Sequence, residues 1–207
     1  MFQKISELET PQIYHHLVHG VVPRPIAWVS TLSKEGISNL APYSFFSVAS
    51  VNPPVLTVTA VPSRDKLEKD TLANLLETKE CVVNVVTEDV LEIMNESCAD
   101  FAHNQSEIDA LNIETLASEM IQPAGIKAAK VRFECTLRDT IDIAKQPAGG
   151  VLILLDVVGI HIDDSVADGT QIDGKTLKAL GKLGGNDYST VNDQITLARP
   201  SAPKNSA

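Results

Sequence analysis

The chain has 207 residues, a formal net charge of −10 and 43% hydrophobic residues. Length and apolar content support a packed globular domain and exclude a disordered composition. The acidic balance excludes non-specific binding to nucleic acid or an anionic membrane, and it requires any phosphate site to be a local basic pocket. Cys81, Cys98 and Cys135 are odd in number and lack CxxC spacing, which predicts free thiols in a cytoplasmic protein. The amino-terminal MFQKISELETPQ carries charges where a signal peptide needs an apolar run. The longest apolar stretch, 151–162, is broken by Asp156 and is too short to span a bilayer.

In chain order, Thr10 followed by Pro11 predicts a helix capped by Thr10 and ending near Gly20. His15 and His19 lie one turn apart on it, with His16 between. No neighbouring Cys or carboxylate completes a metal site, so a helix face or cleft wall is expected and no metal is assigned. Residues 26–31 read as a strand, and Ser33-Lys34-Glu35-Gly36 as a hairpin turn. Residues 44–50 and 55–60 read as further strands around Asn52-Pro53-Pro54. Asp70 caps a helix whose Leu72, Leu75 and Leu76 form one apolar face. Residues 81–86 form a valine-rich buried strand, and Asp89 with Glu92 resembles a capping pattern for a helix through Met94.

Residues 131–143 and 151–162 are long strands joined by Pro147-Ala148-Gly149-Gly150. Alternation sends Glu134 and Cys135 to opposite faces, with Cys135 a buried structural thiol. His161 falls on the second long strand, and nothing marks it as an acid or base. Many strands with few helices between them favour a closed antiparallel barrel over a doubly wound sheet. One domain over 1–198 is expected, followed by a loose Pro-, Ser- and Ala-rich tail over 199–207.

The segment 23–50, PRPIAWVSTLSKEGISNLAPYSFFSVAS, places short hydrogen-bonding groups where a core prefers bulk: Ser30, Thr31, Asn39, Ser44, Ser47 and Ser50. Pro23, Pro25 and Pro42 stiffen it. Such a surface suits a flat, heteroatom-rich ligand. A second segment, RDKLEKDTLAN over 64–74, puts Lys69, Asp70 and Thr71 at a helix start, with Arg64 just before. Exposed amides and the helix dipole favour an anion there. From these residues alone it is either a phosphate cradle or an ordinary capped turn.

PRPIAWVST, NLAPYSFF, the Pro53-Pro54 pair and KDTxxN occur in that order at mutually consistent positions. This set resembles the flavin reductase-like family, whose members bind FMN in a split β-barrel, and is particularly similar to its flavoredoxin-like branch. The Phe133-Glu134-Cys135 strand, VVGIHIDD and the Lys182-Leu183-Gly184-Gly185 run with Tyr188 extend the likeness over about 14–188.

The resemblance implies a mainly β, antiparallel Greek-key split barrel that carries hydride from NADH or NADPH to FMN and on to a second acceptor. It also implies a homodimer and an oxygenase or other electron-acceptor partner. By position, Arg24, Trp28, Ser30 and Thr31, with a loop carrying Asn39, Ala41, Pro42, Tyr43 and Ser44, would lie along the flavin. Ser47, Ala49 and Ser50 would line its ribityl and ring region, and Arg64, Lys69, Asp70 and Thr71 would hold the phosphate. Asn74 matches a family position or supports the loop. Trp28 either stacks near the ring or fills the core.

Lys182 stands where the family pattern has Arg, which keeps the charge but loses the bidentate fork. Lys182, Tyr188 and Arg24 are candidates for the substrate side or the partner subunit's site. Hydride transfer to a bound flavin needs positioning more than a protein acid or base, so no catalytic residue is assigned. No GxGxxG is present, so nicotinamide would bind transiently. An FMN electron carrier without nicotinamide turnover and a split barrel for another ligand such as haem stay open.

Overall fold

Apolar residues recur with a period of two through much of the chain, and the computed structural model answers that period with sheet. The structure describes residues 1–61, 70–102, 105–191 and 193–200; Arg64, Lys69 and most of the expected tail lie outside these. α1 (Thr10–Gly20) leads into β1 (Arg24–Pro25), β2 (Ala27–Leu32), β3 (Ser38–Tyr43), β4 (Phe46–Val51) and β5 (Pro54–Ala60). α2 (Asp70–Thr78), β6 (Glu80–Val85), α3 (Leu91–Glu96) and α4 (Glu107–Ala110) follow. The short β7 (Thr115–Leu116) and β8 (Gly125–Ile126) precede the long hairpin of β9 (Val131–Asp142) and β10 (Val151–Ile162). β11 (Ala167–Asp168), β12 (Gln171–Ile172), α5 (Gly174–Leu177), β13 (Gly181–Lys182) and β14 (Tyr188–Ser189) complete the order.

Seven strands form one antiparallel sheet in the order β3-β2-β6-β9-β10-β5-β4. β3 and β4 are its two ends and do not pair, so the barrel is split rather than closed. Pro42 within β3 has no N–H to offer a further strand, which suits it to an edge. Residues 39–43, expected as a loop, are this edge strand, held by the β2 ladder from Ala27↔Tyr43 to Leu32↔Ser38.

β2 is buried along nearly its whole length, and its alternation feeds two apolar layers. Ala27 and Val29 join Leu56, Val58, Ile153 and Leu155 inside the barrel, where Leu72 and Leu75 of α2 close one side. Trp28 enters an outer layer with Ile26, Leu40, Met94, Ile108 and Ile126. Cys81 and Cys135 face one another across β6 and β9 in the inner layer. The Cys135 contact and burial together push the Cys81 thiol up.

A strap over residues 114–127 covers the outer face of β6 and β9. Its backbone amides are received by side chains rooted in the sheet. Glu80 accepts from Gln122 at 2.8 Å, Asn84 from Ile126 at 2.8 Å, and Glu134 from Glu119 and Met120 at 2.8 and 2.7 Å. Glu134 also meets His161 Nε2 at 2.5 Å. Burial pushes the Glu134 carboxyl up, but His161 and the two amides outweigh it and hold the group below the ordinary carboxylate range. At the β9–β10 turn, a Cβ on Gly149 would stand 2.2 Å from the Ala144 carbonyl oxygen, so only glycine fits there.

Local boundaries shift where side chains find other partners. Glu9, in a capping box with Gln12, caps α1 in place of Thr10. On α2 the buried residues are Thr71, Leu72, Asn74 and Leu75, while Leu76 is 42% exposed. The inward face is therefore half polar, because Thr71 and Asn74 bond to β3 and β2. Asp89 caps nothing; it pairs with Lys130, and Thr87 precedes the turn into α3. Among the described residues, no helix is long and apolar enough to cross a membrane.

Candidate functional site

The edge strand β3 and the start of α2 form one wall of a cleft of about 350 Å³. Asn39, Ala41, Pro42, Tyr43, Asp70 and Thr71 supply that wall; residues 97–101 and Glu107 supply the other. A smaller hollow of about 130 Å³ shares Pro42, Tyr43 and Cys98 and adds Ile26, Ser44, Met94, Lys182 and Tyr188. The sequence segments 39–44 and 70–71 thus meet, with 182–188 at the far end.

Pairing explains the first wall. Register sets Asn39 opposite Thr31, Ala41 opposite Val29 and Tyr43 opposite Ala27, so these β3 side chains share the face on which α2 sits. Asn39 Nδ2 donates to Thr71 Oγ1 at 2.9 Å, and Asn74 Nδ2 donates to Thr31 Oγ1 at 3.0 Å. Thr31 and Asn74 are spent on each other and seat the helix instead of facing the cleft. Burial raises the Tyr43 phenol well above its ordinary range; Thr71 opposes this by hydrogen bonding, while the nearby Asp70 and Glu107 reinforce it. Tyr43 therefore stays protonated.

The second wall carries no motif. Ser97 Oγ accepts from Trp28 Nε1 at 2.9 Å and donates to the Met94 carbonyl at 2.7 Å. Glu107 Oε2 accepts from the Leu40 amide at 2.9 Å, which ties α4 to β3. Nothing local in 97–107 marks these residues. The one available signal is that a buried Trp28 must find an acceptor for its N–H.

Several expected flavin-facing groups are placed elsewhere. Trp28 is fully buried in the outer layer, behind the second wall rather than on the cleft surface. Ser30 donates to the Ala124 carbonyl at 2.6 Å under the strap, on the opposite face from Thr31. Arg24 is 7% exposed, and its guanidinium donates to the carbonyls of Val18, Val21 and Leu183 at 2.5, 2.7 and 2.8 Å. That fork fastens the end of α1 to the segment after β13. Ser47 and Ala49 are exposed on β4 and Ser50 is half-buried, at the sheet edge opposite β3; none lines the cleft.

Lys182 Nζ donates to the Gly185 and Asp187 carbonyls at 2.7 and 3.3 Å and lies 4.0 Å above the Tyr188 ring. Desolvation, then the Arg24 charge, pulls its ammonium below the usual lysine range. The His15 and His19 rings stack at 3.8 Å on α1, with a 2.8 Å hydrogen bond from His19 Nδ1 to the His15 carbonyl. The described carboxylates of the cleft are Asp70, Asp100 and Glu107. Arg64 and Lys69, the cations expected for a phosphate, fall outside the described residues.

Residues 19–177 match the model of the flavin reductase like domain. The uncharacterized protein YwrF of Bacillus subtilis is 37% identical over 200 residues, covering 95% of this chain and 97% of its own. Nitrilotriacetate monooxygenase component B from Bacillus cereus superposes with a TM-score of 0.90 at 30% identity, covering 95% of this chain and 98% of that one. The 2-nitrobenzoate 2-nitroreductase of Pseudomonas fluorescens gives 0.89 at 29% identity, with both chains covered completely. The chain belongs to the flavin reductase like family.

Proposed function

We propose that this chain is an FMN-binding oxidoreductase that takes hydride from NADH or NADPH and delivers the electrons to a second acceptor. It acts as one domain over 1–198 and as a cytoplasmic homodimer. The observation that carries the reading is the shape of the site. The cleft runs from a helix start at Asp70 along Pro42 and Tyr43 into a hollow that ends at a lysine. A flat ring with a phosphorylated tail matches that sequence of surfaces.

Within this reading, the α2 amides with Thr71, Arg64 and Lys69 hold the phosphate. Ala41, Pro42 and Tyr43 form the ring's resting surface, with Asn39 holding Thr71 in place. FMN, when bound, supplies reversible two-electron transfer between a hydride donor and the acceptor. The protonated Tyr43 adds no charge beneath the ring, and Met94, Phe101 and the proline keep bulk water from it. No side chain has to donate or remove a proton at the ring, so the catalytic assignment stays empty.

The likeness to a monooxygenase component B supports an oxygenase as acceptor, and the likeness to a nitroreductase supports a small organic one. The deciding experiment is anaerobic. The purified protein with FMN should lose its absorbance near the flavin maximum on addition of NADH or NADPH. Flavin that stays oxidised with both nucleotides, yet bleaches with a chemical reductant, would reduce the protein to an electron carrier. A protein that binds no FMN would remove the reading altogether.

A further inference from the structure

The turn of α1 between His15 and His19 is held from both ends. The capping box of Glu9 and Gln12 fixes the helix start, and the Arg24 guanidinium takes the Val18 and Val21 carbonyls at the other end. Val18, 4% exposed, anchors the inward side, whereas His15, His16 and His19 are all exposed. A spacing of four residues puts His15 and His19 on one face of the helix.

The ring contacts add what spacing lacks. The His15 and His19 rings are stacked, with centroids 3.8 Å apart and planes 23° from parallel. His19 Nδ1 lies 2.8 Å from the His15 carbonyl oxygen, which can only accept, so Nδ1 carries a proton. In the neutral ring this leaves the lone pair on Nε2. A metal-bound histidine uses its other N–H in this same way, which fixes its tautomer and its orientation. Gly184 packs on the His19 ring: a Cβ there would stand 2.1 Å from both Cδ2 and Nε2. The His15 ring nitrogens hydrogen-bond to no described residue.

Two nitrogens sharing one ion at about 2.0–2.1 Å each stand roughly 3 Å apart. That is close to the ring separation, so a small tilt brings the two lone pairs onto one point. Imidazole suits zinc, copper and nickel, whereas magnesium, calcium and manganese favour oxygen donors. Among the described residues no third His, Cys, Asp or Glu completes the pair, so water must fill the remaining positions. The net charge of −10 draws cations to the surface.

We propose that His15 and His19 chelate a divalent zinc, copper or nickel ion on the exposed face of α1, with water completing its coordination. The ion stiffens the end of α1, beside the segment that Arg24 fastens at Leu183. The site does not depend on the flavin reading.

Calorimetric titration of the untagged full chain with nickel chloride at neutral pH tests this. One nickel should bind per chain, and magnesium chloride should not bind. His15→Ala and His19→Ala should each weaken nickel by about a hundredfold, because losing either ligand removes the chelate advantage. His16→Ala, on a different face, should change the affinity by less than about twofold. Thermal melts without metal check that every variant folds. Nickel should raise the melting temperature of the unaltered chain and of His16→Ala, and leave the variant lacking both His15 and His19 unmoved. No nickel binding by the unaltered chain would overturn the proposal. So would undiminished binding by His15→Ala or His19→Ala, or an equal loss in all three single variants.

Discussion

The two walls of the cleft are built on opposite faces of one strand. Thr31 of β2 seats α2 through Asn74, and α2 with β3 makes the first wall. Trp28, three residues earlier, points the other way and fixes Ser97 in the second wall. The first wall leans on the barrel interior; the second leans on the outer apolar layer under the strap. Under the proposed function a ligand held between them would read the relative position of two cores, so the walls should be separable by mutation.

Trp28→Ala gives the largest expected effect. It empties a fully buried site in the outer layer, costing about 3–5 kcal/mol in chemical denaturation, and it weakens FMN binding by the molecules that remain folded. Leu155→Ala, inside the barrel, should cost about 2–5 kcal/mol with FMN affinity of the folded protein unchanged. Equal losses of affinity in both variants would break the distinction between the walls.

Glu134→Gln comes next, at about 2–3 kcal/mol, because the carboxylate receives two strap amides and His161. The folded carboxyl lies below its ordinary value, so its contribution is complete above the unfolded value of about 4.3 and disappears as pH falls through the lower folded one. The stability gap between the unaltered chain and Glu134→Gln should therefore close only in acid. A gap that stays constant down to that range would refute the role of the charge.

Arg24→Lys should cost about 2 kcal/mol, since a lysine keeps the charge but cannot reach three carbonyls at once. A melting curve like that of the unaltered chain would show that the fork is dispensable. The mildest change, Trp28→Phe, removes the bond to Ser97 and part of the indole's packing, together about 1–2 kcal/mol. It should nevertheless alter FMN affinity more than an equally mild core substitution in the barrel.

Much of this architecture is legible in the residues. The 33–36 turn, the long β9–β10 hairpin and the helix from Asp70 follow from period and turn chemistry, and the meeting of 39–44 with 70–71 is what the family resemblance of the ordered motifs implies. What period cannot reveal is which face of a strand buried on both sides meets which layer. β2 has no polar face to distinguish them, so Ser30 and Thr31 read alike, although one lies under the strap and the other under α2. Arg24 reads as a ligand group because three backbone carbonyls leave no trace in sequence. Ser47, Ala49 and Ser50 sit at the far edge of the sheet because the split separates β4 from β3. Ser97 and Glu107 are invisible for the complementary reason: their role comes from partners about seventy positions away, in Trp28 and Leu40.

The most direct test of the account compares FMN with riboflavin, which lacks only the phosphate. Flavin-fluorescence titrations of the unaltered chain and Lys69→Ala should show FMN weakened by about tenfold or more and riboflavin nearly unaffected. An equal change for both flavins, or none for either, would contradict a phosphate held at the start of α2 and with it the orientation of the cofactor in the cleft.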